Sequence, residues 1–242
     1  MSAKATPPAG FAEPAVVAEG TGFTVALDGK KLKTPAGTVV SVAKRAFAEA
    51  MAAEWTGVLP RTKGAKVDLD RVPLTRIAST VIDRLPSRRA AVIDELLAHA
   101  ETELLCYRAL EPRELARRQT EIWQPILDWL ALAYDARLET HTTMLPADQP
   151  PESLAALRGA LESFDDWKLG GLGLAVAASG SLAVGLALAD GRLDADAAFA
   201  AAELDSTYQI ERWGEDPALT ARHAAIRRDL SDAHRFFTLA RT

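Results

Sequence analysis

The sequence predicts an α+β protein, with a small antiparallel β-rich domain followed by a larger α-helical one. Three observations carry that expectation. Between Val16 and Val42 the apolar residues recur at a spacing close to two, with turn signals at Asp28-Gly29, Thr34-Pro35 and Ala36-Gly37. From Ala43 onward the spacing shifts to three and four and stays there almost to the C-terminus. Residues 169–189 form an uncharged run of 21 with five glycines and six alanines, the composition of a helix at the centre of a bundle.

The β unit rests on Phe23, Val25 and Leu27 alternating with Thr24 and Ala26, a tight turn at Asp28-Gly29, and a return through Leu32 and then Thr38, Val39, Val40 and Val42. Three or four short strands cannot stand without a packed helix. The next segment supplies it, with Ala43, Phe47, Ala50, Met51 and Trp55 at helical spacing up to Gly57 and Pro60. Trp55 is expected to close the core of this unit. A basic loop (Arg61, Lys63, Lys66) and a short extended piece lead to Pro73. A helix there places Leu74, Ile77, Val81 and Leu85 on one face, and Ser87 is expected to cap a further helix. The expected organisation is a disordered lead-in over 1–14, a β-rich domain with one helix over 15–65, and a helical domain over 66–242.

Within the helical part, Pro112 suits the start of a helix through Leu115, Gln119, Ile122, Ile126, Trp129 and Tyr134. Pro125 should kink it, with Trp123 and Trp129 filling the gap as structural residues. The run 169–189 is long enough to span a membrane, but only eight of its residues are large aliphatics, so a single buried helix is preferred over a span. Asp194 is expected to cap a helix that continues through 204–216. The last helix starts at Pro217 and carries a seam of Leu219, Ile226, Leu230, Ala233 and Phe237.

The stretch 204–216, LDSTYQIERWGED, holds the most ordered set of polar groups. At 3.6 residues per turn Phe199, Ala202, Ser206, Ile210 and Trp213 share a face to bury, and Asp205, Tyr208, Gln209 and Arg212 form a polar stripe beside it. Gly214 ends the helix and Asp216 caps the next.

Composition excludes several functions. A net charge of −5 argues against nucleic acid as partner, and the charge is uneven, since residues 139–216 hold 14 acidic and 4 basic groups. One cysteine, Cys106, permits no internal disulfide and builds no zinc site. The N-terminal stretch lacks an apolar core and arginine, so it reads as neither signal nor transit peptide. There is no phosphate-binding glycine loop, no HExxH and no nucleophile elbow. No enzyme class is supported by these patterns, although carboxylate catalysis leaves no local signature. The rival reading is a small-molecule enzyme using the acidic cluster and Arg108, Arg113, Arg117 and Arg118 as an anion site.

Six segments in order, LDGKKLKTP (27–35), AEW (53–55), VPLTRIASTVIDR (72–84), LLCYRA (104–109), WQPILDW (123–129) and LDSTYQIERWGED (204–216), resemble the F-type ATP synthase assembly factors that chaperone the isolated α subunit of the F1 head. The resemblance covers nearly the whole chain. It implies a β-rich N-terminal domain, a helical C-terminal domain, no catalysis and no cofactor. It also implies a task, holding the α subunit soluble until β displaces the chaperone. Asp205 stands at the acidic position of the family's helix motif, where glutamate is usual. The expected partner-binding residues are Asp205, Tyr208, Gln209, Arg212, Trp213 and Glu215, on a monomeric protein without a membrane span. The expected location is the bacterial cytoplasm, or the mitochondrial matrix in a eukaryote.

Overall fold

The computed structural model describes residues 13–58, 69–143 and 148–241. The lead-in over 1–12 and the basic loop at 61–66 lie outside the described residues. The chain divides into two compact units, Met1–Pro86 with Leu239–Thr242, and Ser87–Thr238.

In the first unit β1 (Ala15–Glu19), β2 (Gly22–Leu27) and β3 (Lys30–Lys31) form an antiparallel sheet in the order β1-β2-β3. The β2–β3 turn needs positive φ at both central residues, and Asp28 (φ 49) and Gly29 (φ 74) supply it. The chain then folds back beside β2, where Phe23 and Val42 exchange backbone bonds of 2.8 and 2.9 Å. Gly22 makes this approach possible, since a Cβ there would lie 2.5 Å from the Val42 carbonyl oxygen. Helix α1 (Arg45–Val58) packs on β1 and β2 and buries Phe47, Ala48, Met51, Ala52 and Trp55. Trp55 is in the core as expected, and its indole N–H donates to Thr75 Oγ1 at 3.0 Å. The extended piece expected before Pro73 is instead a 3₁₀ turn at Leu69–Arg71.

The helix from Pro73 does not stop before Ser87. It runs unbroken as α2 (Pro73–Glu101) with Pro86 inside. Proline removes one N–H and clashes with one carbonyl, and a helix with apolar residues buried on both sides of the site outweighs that local cost.

In the second unit, α3 (Arg113–Tyr134) continues through Pro125. Trp123 is buried and donates from Nε1 to the Ala201 carbonyl at 2.8 Å. Trp129 is only half-buried, its ring edge-on to Tyr134 at 5.7 Å. Helix α4 (Pro151–Ser163) precedes the apolar run, which is two helices rather than one: α5 (Asp166–Ser179) and α6 (Leu182–Ala189). Gly180 (φ 71) caps α5 and Ser181 caps α6 through its hydroxyl. The break is held from a distance. Glu103, fully buried, accepts from Ser181 Oγ, from the Ala183 N–H at 3.1 Å and from the Leu105 N–H at 3.2 Å. Burial pushes its carboxyl above the usual carboxylate range, opposed by those bonds.

All eight residues of α6 are buried, and it packs against α5, α7 (Ala195–Ala202) and α3. Gly185 permits that closeness, since a Cβ there would lie 2.6 Å from Val176 Cγ2. Gly185→Val is therefore expected to cost about 1–3 kcal/mol by overpacking, read as a drop in melting temperature of several degrees. An unchanged melt would show that α5 and α6 can part. No helix among the described residues is long and apolar enough to cross a membrane.

The helix expected from Asp194 through Trp213 is also two. Asp194 caps α7, and α8 (Leu204–Trp213) begins after a break at Glu203. Arg222 of α9 (Pro217–Arg241) meets the buried Glu203 carboxylate with two bonds, 2.8 and 2.7 Å, and Ser206 Oγ donates to it at 2.6 Å.

Candidate functional site

Helix α8 lies against α3 with Leu204 and Tyr208 buried. The face is rotated from the sequence expectation. Tyr208, assigned to the polar stripe, is 3% exposed, while Trp213, assigned to the buried face, is 79% exposed. The cause is the break at Glu203, which frees α8 from the helical phase of α7 and lets it present Leu204 and Tyr208 inward.

Tyr208 lies between two guanidinium groups, those of Arg118 and Arg212, each 5.3 Å from the ring centroid. Arg212 Nε donates to the Tyr208 hydroxyl at 3.1 Å. Glu114 bridges the two arginines, 2.9 Å from Arg118 Nη2 and 3.0 Å from Arg212 Nη2. Arg118 also reaches Glu211 at 2.7 Å. The Arg118 hydrogen bond, more than any other influence, holds the Glu114 carboxyl below its ordinary range. Exposed pairs of this kind are individually weak, but the shared carboxylate and ring fix one geometry for both arginines.

Asp205 is placed differently. Although it shares the polar stripe with Gln209 and Arg212, it bonds to neither. Its Oδ1 accepts from Gln119 Nε2 at 2.8 Å, and Gln119 is held in turn by the Ala109 N–H at 2.7 Å to its Oε1. Gln119 is 1% exposed, a polar residue at an interior position of α3. Half-burial raises the Asp205 carboxyl above its usual range, opposed only by the Gln119 bond. Among the described residues no cation neutralises it.

A raised folded-state pKa means the native chain binds the proton more tightly than the unfolded one. The contribution to stability is then complete below the unfolded value and falls as pH rises through the folded one. Asp205→Asn keeps an acceptor for Gln119 without the charge. It is expected to melt at or above the wild-type temperature at pH 7, with the difference closing as pH is lowered toward the ordinary carboxylate range. A variant that melts lower at neutral pH would remove the desolvation account.

Of the six residues expected to bind a partner, the structure brings Tyr208 and Arg212 into one bonded group with Glu114 and Arg118 of α3, and ties Asp205 separately to Gln119 of the same helix. It leaves Gln209, Trp213 and Glu215 exposed beside it. Glu114 and Gln119 were missed as site residues, and the one signal for Gln119 was a polar side chain on an apolar stripe. The arginines of the rival enzyme reading do not converge on an anion. Arg113 faces Glu111 at 3.6 Å, Arg117 bonds Glu121 at 2.6 Å, and Arg108 donates to the Gln119 carbonyl at 3.0 Å while lying over the Trp123 ring. Among the described residues no cluster of His, Cys, Asp and Glu could hold a metal ion.

Comparison with known proteins gives the same frame. The profile of the ATP12 chaperone protein family matches residues 11–131. The protein atp12, mitochondrial, of Schizosaccharomyces pombe is 25% identical over 205 residues, covering 78% of this chain and 68% of its own. The crystal structure of Atp12 from Paracoccus denitrificans superposes with a TM-score of 0.85 at 34% identity over 95% of this chain and 96% of that one. An aspartate-to-lysine variant of P. denitrificans Atp12p superposes with a TM-score of 0.86 at 35% identity over the same shares. With sequence and fold matched over almost its whole length, the chain belongs to the ATP12 chaperone family.

Proposed function

We propose that this ATP12-family chaperone for ATP synthase assembly binds the isolated α subunit of the F1 head and covers the surface that β will later occupy. It does so as a monomer, without catalysis or cofactor, in the bacterial cytoplasm or, in a eukaryote, the mitochondrial matrix. The observation that supports this best is Asp205, a half-buried carboxylate with no compensating cation among the described residues. At about 100° per residue Asp205, Gln209, Arg212 and Trp213 fall within an arc of about 100° on α8. A client cation meeting Asp205 would offset its desolvation, while Trp213 supplies a large ring at low conformational cost. A polar stripe beside one aromatic gives a contact complementary to the client yet weaker than the final apolar interface, as a displaceable cover requires.

Isolated α subunit exposes a large apolar interface and aggregates. Light scattering of purified α should stay flat with an equimolar amount of this protein, and adding β should return the chaperone to its free elution volume. Scattering that rises equally with and without the chaperone would remove α as the client.

A further inference from the structure

The first compact unit carries a groove that the reading of α8 does not use. Its volume is about 500 Å³, within the range of ligand-binding clefts. One wall is Val72 with the α2 face formed by Thr75, Arg76, Ser79, Asp83 and Arg84, and the other is the turn Lys33-Thr34-Pro35, with Trp55 between them. Three of the segments singled out in the sequence, 27–35, 53–55 and 72–84, thus meet in one place.

The walls are fixed in advance. Asp83 Oδ2 accepts from the Ala36 N–H at 3.0 Å and pins the turn to α2. Trp55 Nε1 donates to Thr75 Oγ1 at 3.0 Å, and Glu54 accepts from the Leu74 N–H at 3.3 Å. The hydroxyls along the α2 face are turned back on the helix, Ser79 to the Thr75 carbonyl at 2.8 Å and Thr80 to the Arg76 carbonyl at 3.1 Å. The groove therefore offers mainly Leu32, Trp55, Val72, Pro35 and side-chain methyls to an occupant. Its exposed rim is net positive, since Lys33, Arg76 and Arg84 stand against two carboxylates among the described residues, Asp83 and the Asp70 that pairs with Arg76 at 2.9 Å, on a chain whose net charge is −5.

From Val72 to Arg84 the wall is about 18 Å long at ~1.5 Å per helical residue, the length of five or six residues of extended chain at ~3.3 Å each. We propose that this groove is a second client-binding site that takes an extended, apolar segment of an F1 subunit bearing acidic residues beside its apolar side chains. That occupant matches the apolar floor and the positive rim, and preformed walls lower the ordering cost of binding it. The proposal rests on the client reading above, with α as the subunit concerned.

The test places a photoreactive benzoylphenylalanine at exposed Thr80 in the full chain, and separately at Gln209 on α8, with thermal melting to confirm both folds. Each is irradiated with purified α and with purified β. Thr80 crosslinking to α, mapped to an apolar segment with acidic neighbours and lost on adding the groove-filling change Ser79→Trp, is the expected result. Thr80 crosslinking to β alone keeps the groove and overturns α as the client. Gln209 crosslinking to α with none from Thr80 overturns the groove and keeps the α reading. Silence at both positions overturns both, and a Thr80 crosslink to the protein's own chain or a second copy overturns the groove. Arg76→Glu with Arg84→Glu should weaken α binding at least tenfold at low salt and much less at high salt; equal binding would remove the acidic character of the segment.

Discussion

Asp205→Lys is expected to abolish protection of the client while leaving the protein folded. Two costs compete. The buried Gln119 amide loses its acceptor on α8, and an unmet buried donor costs about 1–3 kcal/mol, a shift of several degrees for a chain of this size. At a docked surface the change does more, because it replaces one partner of a desolvated charge pair by its opposite. Losing one such partner alone costs roughly 2–5 kcal/mol, or about 30- to 5,000-fold in affinity. The functional effect should therefore exceed the structural one. Melting and light scattering of α on the same preparation separate them. Loss of stability with protection retained per folded molecule would make Asp205 a structural residue, and unchanged behaviour in both would take α8 off the binding surface. Asp205→Asn is the graded companion, expected to weaken protection while the melt holds or rises.

Trp55→Arg should misfold the first unit. The ring is 8% exposed, is anchored to Thr75 and lies between α1 and the groove. An arginine there either buries a charge with no partner or withdraws and leaves a cavity the size of an indole. Each route costs several kcal/mol. The expected readout is loss of the cooperative melt or a fall of ten degrees or more. A melt within a degree or two of wild type would place Trp55 on the surface and overturn its packing role.

The features legible in the sequence were those set by neighbours in the chain. The Asp28-Gly29 hairpin, the α1 face ending in Trp55, the Asp194 and Asp216 caps and the α9 seam depend on spacings of two, three or four. Misread features depend on residues far away. The α5–α6 break sits in Ser-Gly-Ser, which resembles any other small-residue stretch of the run until Glu103, 78 residues earlier, gives Ser181 and Ala183 an acceptor. Glu203 is a good helix former, and its carboxylate is held at the break by distant Arg222 and His223 of α9 as well as by Ser206. That break in turn rotated α8, so Tyr208 and Trp213 exchanged the places their spacing suggested. The cap expected at Ser87 failed in the opposite direction, because tertiary packing carried α2 through Pro86, a residue that ends helices in isolation. Of the candidate site, the sequence held the α8 side chains but not their partners on α3.

The exposure of Trp213 makes the protein its own optical probe. Among its five tryptophans, all within the described residues, Trp55 and Trp123 are buried, Trp129 and Trp167 half-buried, and Trp213 alone is exposed. An indole in water emits at longer wavelength than one in an apolar setting, so the red edge of the emission spectrum belongs mainly to α8. Docking of a client over this helix would shift that edge to the blue and shield it from iodide, while the inner rings stay as they were. Trp213→Phe, which keeps an aromatic ring, should erase the shift. Chaperone occupancy could then be followed during assembly without a label.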